Sequence, residues 1–501
     1  MLETALLAAV VVLTRLPFLA AGYGTDRDGW SLAGAAREIA ATGHYKASRL
    51  PGFPLQEYAS ALVWRGGPLA LNGLSACFTA IAVVILFRIL RRLGGGDAGL
   101  LALAFAFVPT VYISSTAAMD YLFAVAFLLG AVELALAGRA ATAGLMLGMA
   151  IGARITTAVF LLPLALIVAG PGPGRLRRLA ALAAWAAIVG AAWYAPVFQR
   201  YGAGFLSYYE PQGETRSIGD FIGGIIHPGG LPFPAALVFG QATVGVFGLL
   251  GAAVVAVLVG VAATRGLRAR RGREAERARL LALPGRLALA AGLAVLLTVI
   301  LYVRLPHDEG YLIPALPFLL MLLAAAVPRG LLRAGAVALL VSPFVLGVDA
   351  VPPKKGVTPA AQSPLSFEFG LSRETLRVDP LRGPVLLDYE KRRRMLDLAR
   401  TSLRALEGIP AGGILIAGMV SPVLYYYQPD DAFHLRYVDL LRRSALDQIL
   451  RRGDPVFYLP DVRQRTLRFE GFDLEAAGAR PLFPDPAGIT PGSAAAAGER
   501  R

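Results

Sequence analysis

Apolar residues in this chain fall in long unbroken runs, without the stripe of a surface helix or the alternation of a half-buried strand. The runs cover about 4–21, 67–91, 97–113, 119–137, 140–170, 179–198, 233–263, 284–303, 310–327 and 330–348. A membrane-crossing helix needs roughly 20 mostly apolar residues, so most runs predict one crossing each. The run 140–170 is longer, with Arg154 in its middle and Pro163 further on.

Polar residues between the runs fix how that segment is read. Arg88, Arg91 and Arg92 follow the second run, and Arg175, Arg177 and Arg178 follow the long one. The stretch Thr264–Leu283 carries seven arginines against two glutamates. Short basic loops stay on the cytoplasmic side. All three fall there only if 140–170 crosses twice, turning near Arg154. The pattern therefore predicts a polytopic α-helical membrane protein of about 11 transmembrane helices, with the N-terminus inside. The first run has no basic start and no small-residue cleavage site, so it reads as a membrane helix.

Beyond about Val351 the long apolar runs stop and charge rises. Pro352, Pro353, Lys354 and Lys355 read as a linker. Helices are predicted over Asp388–Leu406 and Tyr437–Arg452, and strands over Ile414–Ala417 and Val456–Leu459. The expected organisation is a transmembrane catalytic domain over 1–348, with a first outer loop at 22–66. A small extracytoplasmic α/β domain follows over 349–486, then a disordered tail over 487–501. The expected role of the second domain is to recognise the acceptor or shield the site, and a chain cut after about Val351 is expected to keep some activity.

Composition agrees: 56% of residues are hydrophobic, more than a soluble globular chain carries. A net charge of +15 would point to nucleic acid in a soluble protein, but here the charge sits in the loops that orient the helices, so nucleic acid is not an expected partner. The single cysteine, Cys77, cannot form an intrachain disulfide. Gly94-Gly95-Gly96 lacks the Lys-Ser/Thr of a phosphate-binding loop, and there is no HExxH or CxxC motif.

Candidate chemistry gathers on the predicted outer face. The first outer loop holds Asp26 and Asp28, then a helix predicted over Trp30–Thr42 with Gly43 at its end, then Lys46, Arg49 and the turn Pro51-Gly52-Phe53-Pro54. The carboxylates suit a general base or a divalent metal, and the bases suit a phosphate. Asp28 stands before Gly29 and the predicted helix, where part of its capacity goes to an N-cap; this favours Asp26 as the base and Asp28 as a structural or metal-side partner, with the exchanged roles still open. Asp120 opens another helix; it is either a charge favoured by the helix dipole or a second-shell or metal-binding carboxylate, with Asp26, Asp28 and Asp120 as the candidate ligands. Arg154 is either a snorkelling side chain, a partner for Asp120, or a phosphate clamp. Arg304, His307, Asp308, Glu309 and Tyr311 line a late outer loop, read as a site wall or a solvated turn. Tyr201, Tyr208, Tyr209, Glu210 and His227 lie in the loop from Gln199, as interface anchors or sugar-stacking surfaces.

These residues carry a resemblance. T-R-L-P-F at 14–18, the D-x-D loop, A-A-R-E-I-A-A-T-G-H-Y at 35–45, S-R-L-P-G-F-P at 48–54 and G-Y-L-I-P-A-L-P-F-L at 310–319 look like the GT-C superfamily of membrane glycosyltransferases. The nearest in style are bacterial relatives of protein O-mannosyltransferases and lipid A aminoarabinose transferases. The resemblance covers residues 1 to about 348. It implies an inverting enzyme of the bacterial inner membrane that moves a sugar from a polyprenyl-phosphate carrier to an extracytoplasmic lipid, glycan or protein. It implies that Asp26 or Asp28 is the base or helps bind a metal, for which Mg or Mn is the expected ion. It implies a basic group at the late loop, where the family's His-x-Arg-Tyr is here His-Asp-Glu-Gly-Tyr, which moves that role toward Arg304. The alternative class is a transporter or lipid flippase, which would carry ionisable groups in mid-helix and inverted repeats. A scaffold for the outer domain would not need acids and bases on one face.

Overall fold

The computed structural model describes residues 2–170, 173–206, 208–209, 215–216, 235–270, 284–304, 308–351, 367–371, 374–406, 413–427, 436–438 and 442–483. The chain divides into two compact units. Unit 1 comprises Met1–Tyr23, Leu32–Val348 and Val378–Asp388; unit 2 comprises Gly24–Ser31, Asp349–Arg377 and Tyr389–Arg501.

Unit 1 is helical. Its helices are α1 (Leu2–Arg15), α2 (Arg27–Thr42, whose first turn belongs to unit 2), α3 (Pro54–Val63), α4 (Gly67–Arg92), α5 (Ala98–Ala106), α6 (Pro109–Ser115), α7 (Tyr121–Leu136), α8 (Ala140–Ala153), α9 (Leu161–Val168), α10 (Arg175–Tyr201), α11 (Ala235–Arg270), α12 (Gly285–Arg304), α13 (Leu316–Ala326) and α14 (Arg329–Val341). Among the described residues, five stretches are long and apolar enough to cross a membrane: Pro54–Arg92, Arg175–Phe205, Ala242–Leu267, Gly285–Tyr302 and Glu309–Ala326. The pair α5 and α6, bent by 67°, adds a sixth if taken as one span. Three shorter apolar helices are Tyr121–Leu136, Ala140–Ala153 and Ile155–Val168. Length and composition thus give five or six spans, short of the eleven expected.

The run 140–170 is two helices broken at Arg154, as the arginine loops required. Arg154 has extended backbone (φ −158°, ψ 112°). A Cβ on Gly144 would meet Leu182 and Trp185, one on Gly148 would meet Val189, and one on Gly152 would meet Trp193. The glycines let two backbones approach closely, as small residues do in membranes. The numbers rise together, so α8 and α10 run parallel, and the segment between them returns the chain to its starting end.

That end is dense in arginine. Arg91 bonds Glu3, Arg88 bonds Glu133 at 2.9 Å, and Arg92 donates to the Leu136 carbonyl. Arg178 donates to the Gly170 carbonyl and Arg286 to that of Ala169, while Arg329 and Arg333 share Asp97. The contacts tie α4 to α1 and α7, the turn after α4 to α14, and the segment after α9 to α10 and α12.

The expected single helix over 97–113 is instead broken, because Pro109 cannot continue α5. Arg15, fully buried, donates to the freed Ala106 carbonyl and to Ser115 Oγ at 3.2 Å, and its guanidinium lies 4.0 Å from the Tyr112 ring. A short hairpin of β1 (Tyr208–Tyr209) and β2 (Thr215–Arg216) lies in the loop after α10; Glu210 and His227 of that loop lie outside the described residues.

Residues 347–379 carry a three-stranded sheet of β3 (Gly347–Val351), β4 (Phe367–Leu371) and β5 (Glu374–Asp379), in the order β3-β5-β4. Unit 2 also holds a sheet of β6 (Ile414–Ile416), β7 (Arg436–Val438), β8 (Val456–Tyr458) and β9 (Arg480–Pro481), in the order β7-β6-β8-β9 with every pair parallel. Its helices are α15 (Pro384–Leu406, which starts in unit 1), α16 (Ser421–Tyr427), α17 (Arg443–Arg451) and α18 (Pro460–Phe469). The helix expected over Tyr437–Arg452 begins only at Arg443. Tyr437 is in a strand, paired with Leu415, where tertiary pairing outweighs helical periodicity.

Candidate active site

In unit 1, three breaks in helical structure bring charged side chains together. Asp120 precedes α7 but its carboxylate does not cap that helix. It is fully buried: Oδ1 accepts from Arg49 Nη2 at 2.9 Å and Oδ2 from Arg154 Nη1. The break after α8 delivers Arg154. Its guanidinium is buried and lies 4.3 Å from the Tyr121 ring and 4.3 Å from the Tyr311 ring. Tyr121 donates through its hydroxyl to Asp308 Oδ2, and Asp308 Oδ1 accepts from the Gly310 amide at 2.7 Å. A Cβ on Gly310 would overlap the Tyr121 ring, so glycine there admits the contact.

Arg49 arrives on the loop between α2 and α3 and lies 4.0 Å from the Phe53 ring. Glu57 shapes that loop. Its buried carboxylate accepts from the Tyr45 hydroxyl, from the Ser48 amide at 2.6 Å, from Ser48 Oγ at 2.7 Å and from the Phe53 amide at 3.1 Å. Burial, reinforced by the Glu57 charge, pushes the Tyr45 hydroxyl above its usual range and keeps it a donor. Gly52, at φ +91°, completes the turn, and its carbonyl accepts from Tyr194 at 2.9 Å. Sequence reasoning passed over Glu57. The available signal was an acid in the first turn of a helix opened by Pro54.

Two guanidinium groups against the one Asp120 carboxylate leave this triad a net positive charge. Arg49 is its more accessible member, with its side chain 23% exposed. Preorganised cations of this kind can stabilise an anion.

Of the residues expected at the site, Arg49, Asp120, Arg154, Asp308 and Tyr311 meet in unit 1. Lys46 does not join them; it is ion-paired with Glu38 at the surface. Glu309 turns away toward α11, where it fills the space beside Gly245. His307 and the Arg304 side chain lie outside the described residues. Arg154 is the buried partner of Asp120, not an open clamp. Asp120 does not fit the metal-ligand expectation, because both of its oxygens accept from cations. Among the described residues no three His, Cys, Asp or Glu side chains are grouped to hold a metal.

Asp26 and Asp28 belong to unit 2. The helix begins at Arg27, not Trp30, and the Asp28 amide donates to Asp26 Oδ1 at 2.9 Å. Asp26 is therefore the N-cap, the reverse of the expected assignment. Its backbone precedes the first helical residue, so its carboxylate can reach an amide left without a helical partner. Asp28 sits in the first turn. The Trp30 indole, buried at 2% exposure, donates to the Gly24 carbonyl at 3.0 Å and closes the turn that carries both acids.

No family model matches the chain, and no curated protein matches it. Two solved structures do. ArnT from Cupriavidus metallidurans bound to undecaprenyl phosphate is 13% identical, with a TM-score of 0.50, over 95% of this chain and 89% of that one. ArnT from the same organism in the apo state is 14% identical, with a TM-score of 0.52, over 93% of this chain and 94% of that one. The chain thus shares its fold with these two ArnT structures.

Proposed function

We propose that this protein is an integral-membrane glycosyltransferase that moves a sugar from a polyprenyl-phosphate carrier to an extracytoplasmic lipid, glycan or protein. The observation that carries the reading is a fold shared almost end to end with ArnT, in one structure bound to undecaprenyl phosphate. The buried triad of Arg49, Asp120 and Arg154 supports it, because carrier phosphate is the leaving group and gains charge as the sugar–oxygen bond breaks. Preorganised cations in a water-poor site stabilise that charge. Asp120 orients both guanidinium groups, and the two tyrosine rings hold Arg154.

In the proposed step the acceptor hydroxyl attacks the anomeric carbon, with inversion. An aspartate of the first outer loop takes the hydroxyl proton, and carrier phosphate departs with the bonding electrons. Asp28 is the favoured base. Asp26 already commits one oxygen to capping the helix, accepting from the Asp28 amide. The arginine-rich end of unit 1 faces the cytoplasm of a bacterial inner membrane, by the charge rule. The eleven crossings then include the short helices, and the catalytic groups and the C-terminal region lie outside.

The test is transfer in proteoliposomes, using labelled undecaprenyl-phosphate sugars and cell-envelope lipids, glycans and proteins as acceptors. Label should leave the carrier in the presence of one acceptor class. Absence of both transfer and donor hydrolysis across the donor panel would exclude the reading.

A further inference from the structure

The turn that carries Asp26 and Asp28 clusters with the C-terminal unit, although more than 300 residues of chain separate them. The contact is aromatic. Trp30 meets Tyr426 with ring centroids 5.7 Å apart and planes at 67°, and Tyr427 at 6.1 Å and 55°. The two tyrosines also pack edge to face on one another at 5.3 Å. Such pairs hold rings in preferred geometries.

The platform beneath is well anchored. Tyr426 and Tyr427 end α16, which follows β6, the strand from which the parallel sheet runs in both directions. In open α/β sheets the crevice beyond the carboxyl end of such a strand is where ligands usually bind. Here the element after that strand meets Trp30. Tyr425, beside them, donates to the Tyr437 carbonyl at 2.9 Å and ties α16 to β7. Ser421, Pro422, Val423 and Leu424 are buried below.

We propose that Tyr426 and Tyr427 are positioning residues for catalysis: through Trp30 they fix the turn that holds Asp26 and Asp28. The proposal rests on the glycosyltransferase reading. It also changes the expected role of the C-terminal region. The catalytic carboxylates depend on that region for their placement, so the membrane helices alone do not suffice for transfer.

The test uses full-length protein in lipid, with undecaprenyl-phosphate sugar as donor. Tyr426→Leu/Tyr427→Leu removes both rings and keeps apolar bulk, while Tyr426→Phe/Tyr427→Phe keeps the rings. The Leu pair should lower kcat by roughly 10²-fold, the scale of a small misplacement of a reacting group, with donor KM nearly unchanged. The Phe pair should stay near wild type. In protein labelled with fluorotryptophan, the Trp30 resonance, assigned by its loss in Trp30→Phe, should shift in the Leu pair and not in the Phe pair. If the Leu pair folds poorly, Tyr427→Leu alone alters only an exposed side chain and should show a smaller loss of the same kind. An unshifted Trp30 resonance, an unchanged kcat, or a rise in KM alone would each overturn the proposal. If the wild type transfers no sugar, the functional reading fails and the positioning role with it; a Trp30 shift in that case marks the failure as the reading's, not the contact's.

Discussion

In the proposed reading, the hydrogen bond from the Asp28 amide to Asp26 Oδ1 separates the roles of two aspartates a residue apart. Because Asp26 caps the helix, Asp28→Asn should lower turnover by roughly 10²–10⁴-fold with donor binding nearly intact. Asp26→Asn should mainly reduce thermal stability, by about 1 kcal/mol or less, since an amide oxygen still caps. Steady-state kinetics and thermal melts of both variants check this, and the opposite ranking would exchange the roles. Arg154 pairs with a fully buried carboxylate, so its truncation should reach the fold as well as donor binding. Arg154→Ala leaves Asp120 with Arg49 as its remaining partner in the triad, and breaking a buried pair costs about 3–5 kcal/mol. A marked fall in melting temperature in detergent is expected. Arg154→Lys should recover part of it, because an ammonium lacks the planar fork. A melt equal to wild type for the Ala variant would show that the pair contributes nothing to the fold.

At the scale of elements, the close packing of α8 on α10 and the anchoring of α14 are both open to measurement. Gly148→Val places branched carbons against Val189 and the Ala186 carbonyl. Overpacking of this kind costs about 1–3 kcal/mol, read as a lower melting temperature. Asp97 anchors the start of α14, and hydrogen bonds from Arg333 and then Arg329 hold its carboxyl down to about 2, from 3.8. A depressed carboxyl stabilises the fold above its unfolded value and loses that contribution as pH falls from about 4 to about 2. The stability difference between wild type and Asp97→Asn should therefore be present at pH 5 and shrink toward pH 2. A difference constant across that window would show that the arginines do not favour the charged form. The effect should be modest, because both arginines are half exposed and water screens the pair.

At the scale of the whole molecule, the arginine-rich end is proposed to face the cytoplasm. Reporter fusions after Arg92, Arg178 and Arg279 should read cytoplasmic, and fusions after Gly213 and Ser363 external. An external signal at Arg178 would be incompatible with two crossings over 140–170. The acids and bases noticed in the chain fall into separate groups. Arg49, Asp120, Arg154, Asp308 and Tyr311 are drawn into one unit, while Asp26 and Asp28 are held in the other.

Much of this was legible in the chain itself. Apolar run length showed a membrane protein, because lipid demands about 20 apolar residues per crossing. Arginine placement showed that 140–170 must break near Arg154, because charge is excluded from one side of the membrane in short loops. The Val456–Leu459 strand and the α2 helix followed from local periodicity. Tertiary structure alone decided the rest. No local pattern says that Asp120 meets Arg154 and Arg49, because those residues come from three separate breaks and the pairing depends on how their helices pack. Nor does local sequence show that Glu57 is a buried acceptor for Tyr45 and two amides, since an exposed acid would read the same. The cap moved from Asp28 to Asp26 because the helix starts three residues early, a boundary that propensity resolves poorly. The seating of Trp30 on Tyr426 and Tyr427 joins residues nearly 400 positions apart, which only the folded chain can bring together.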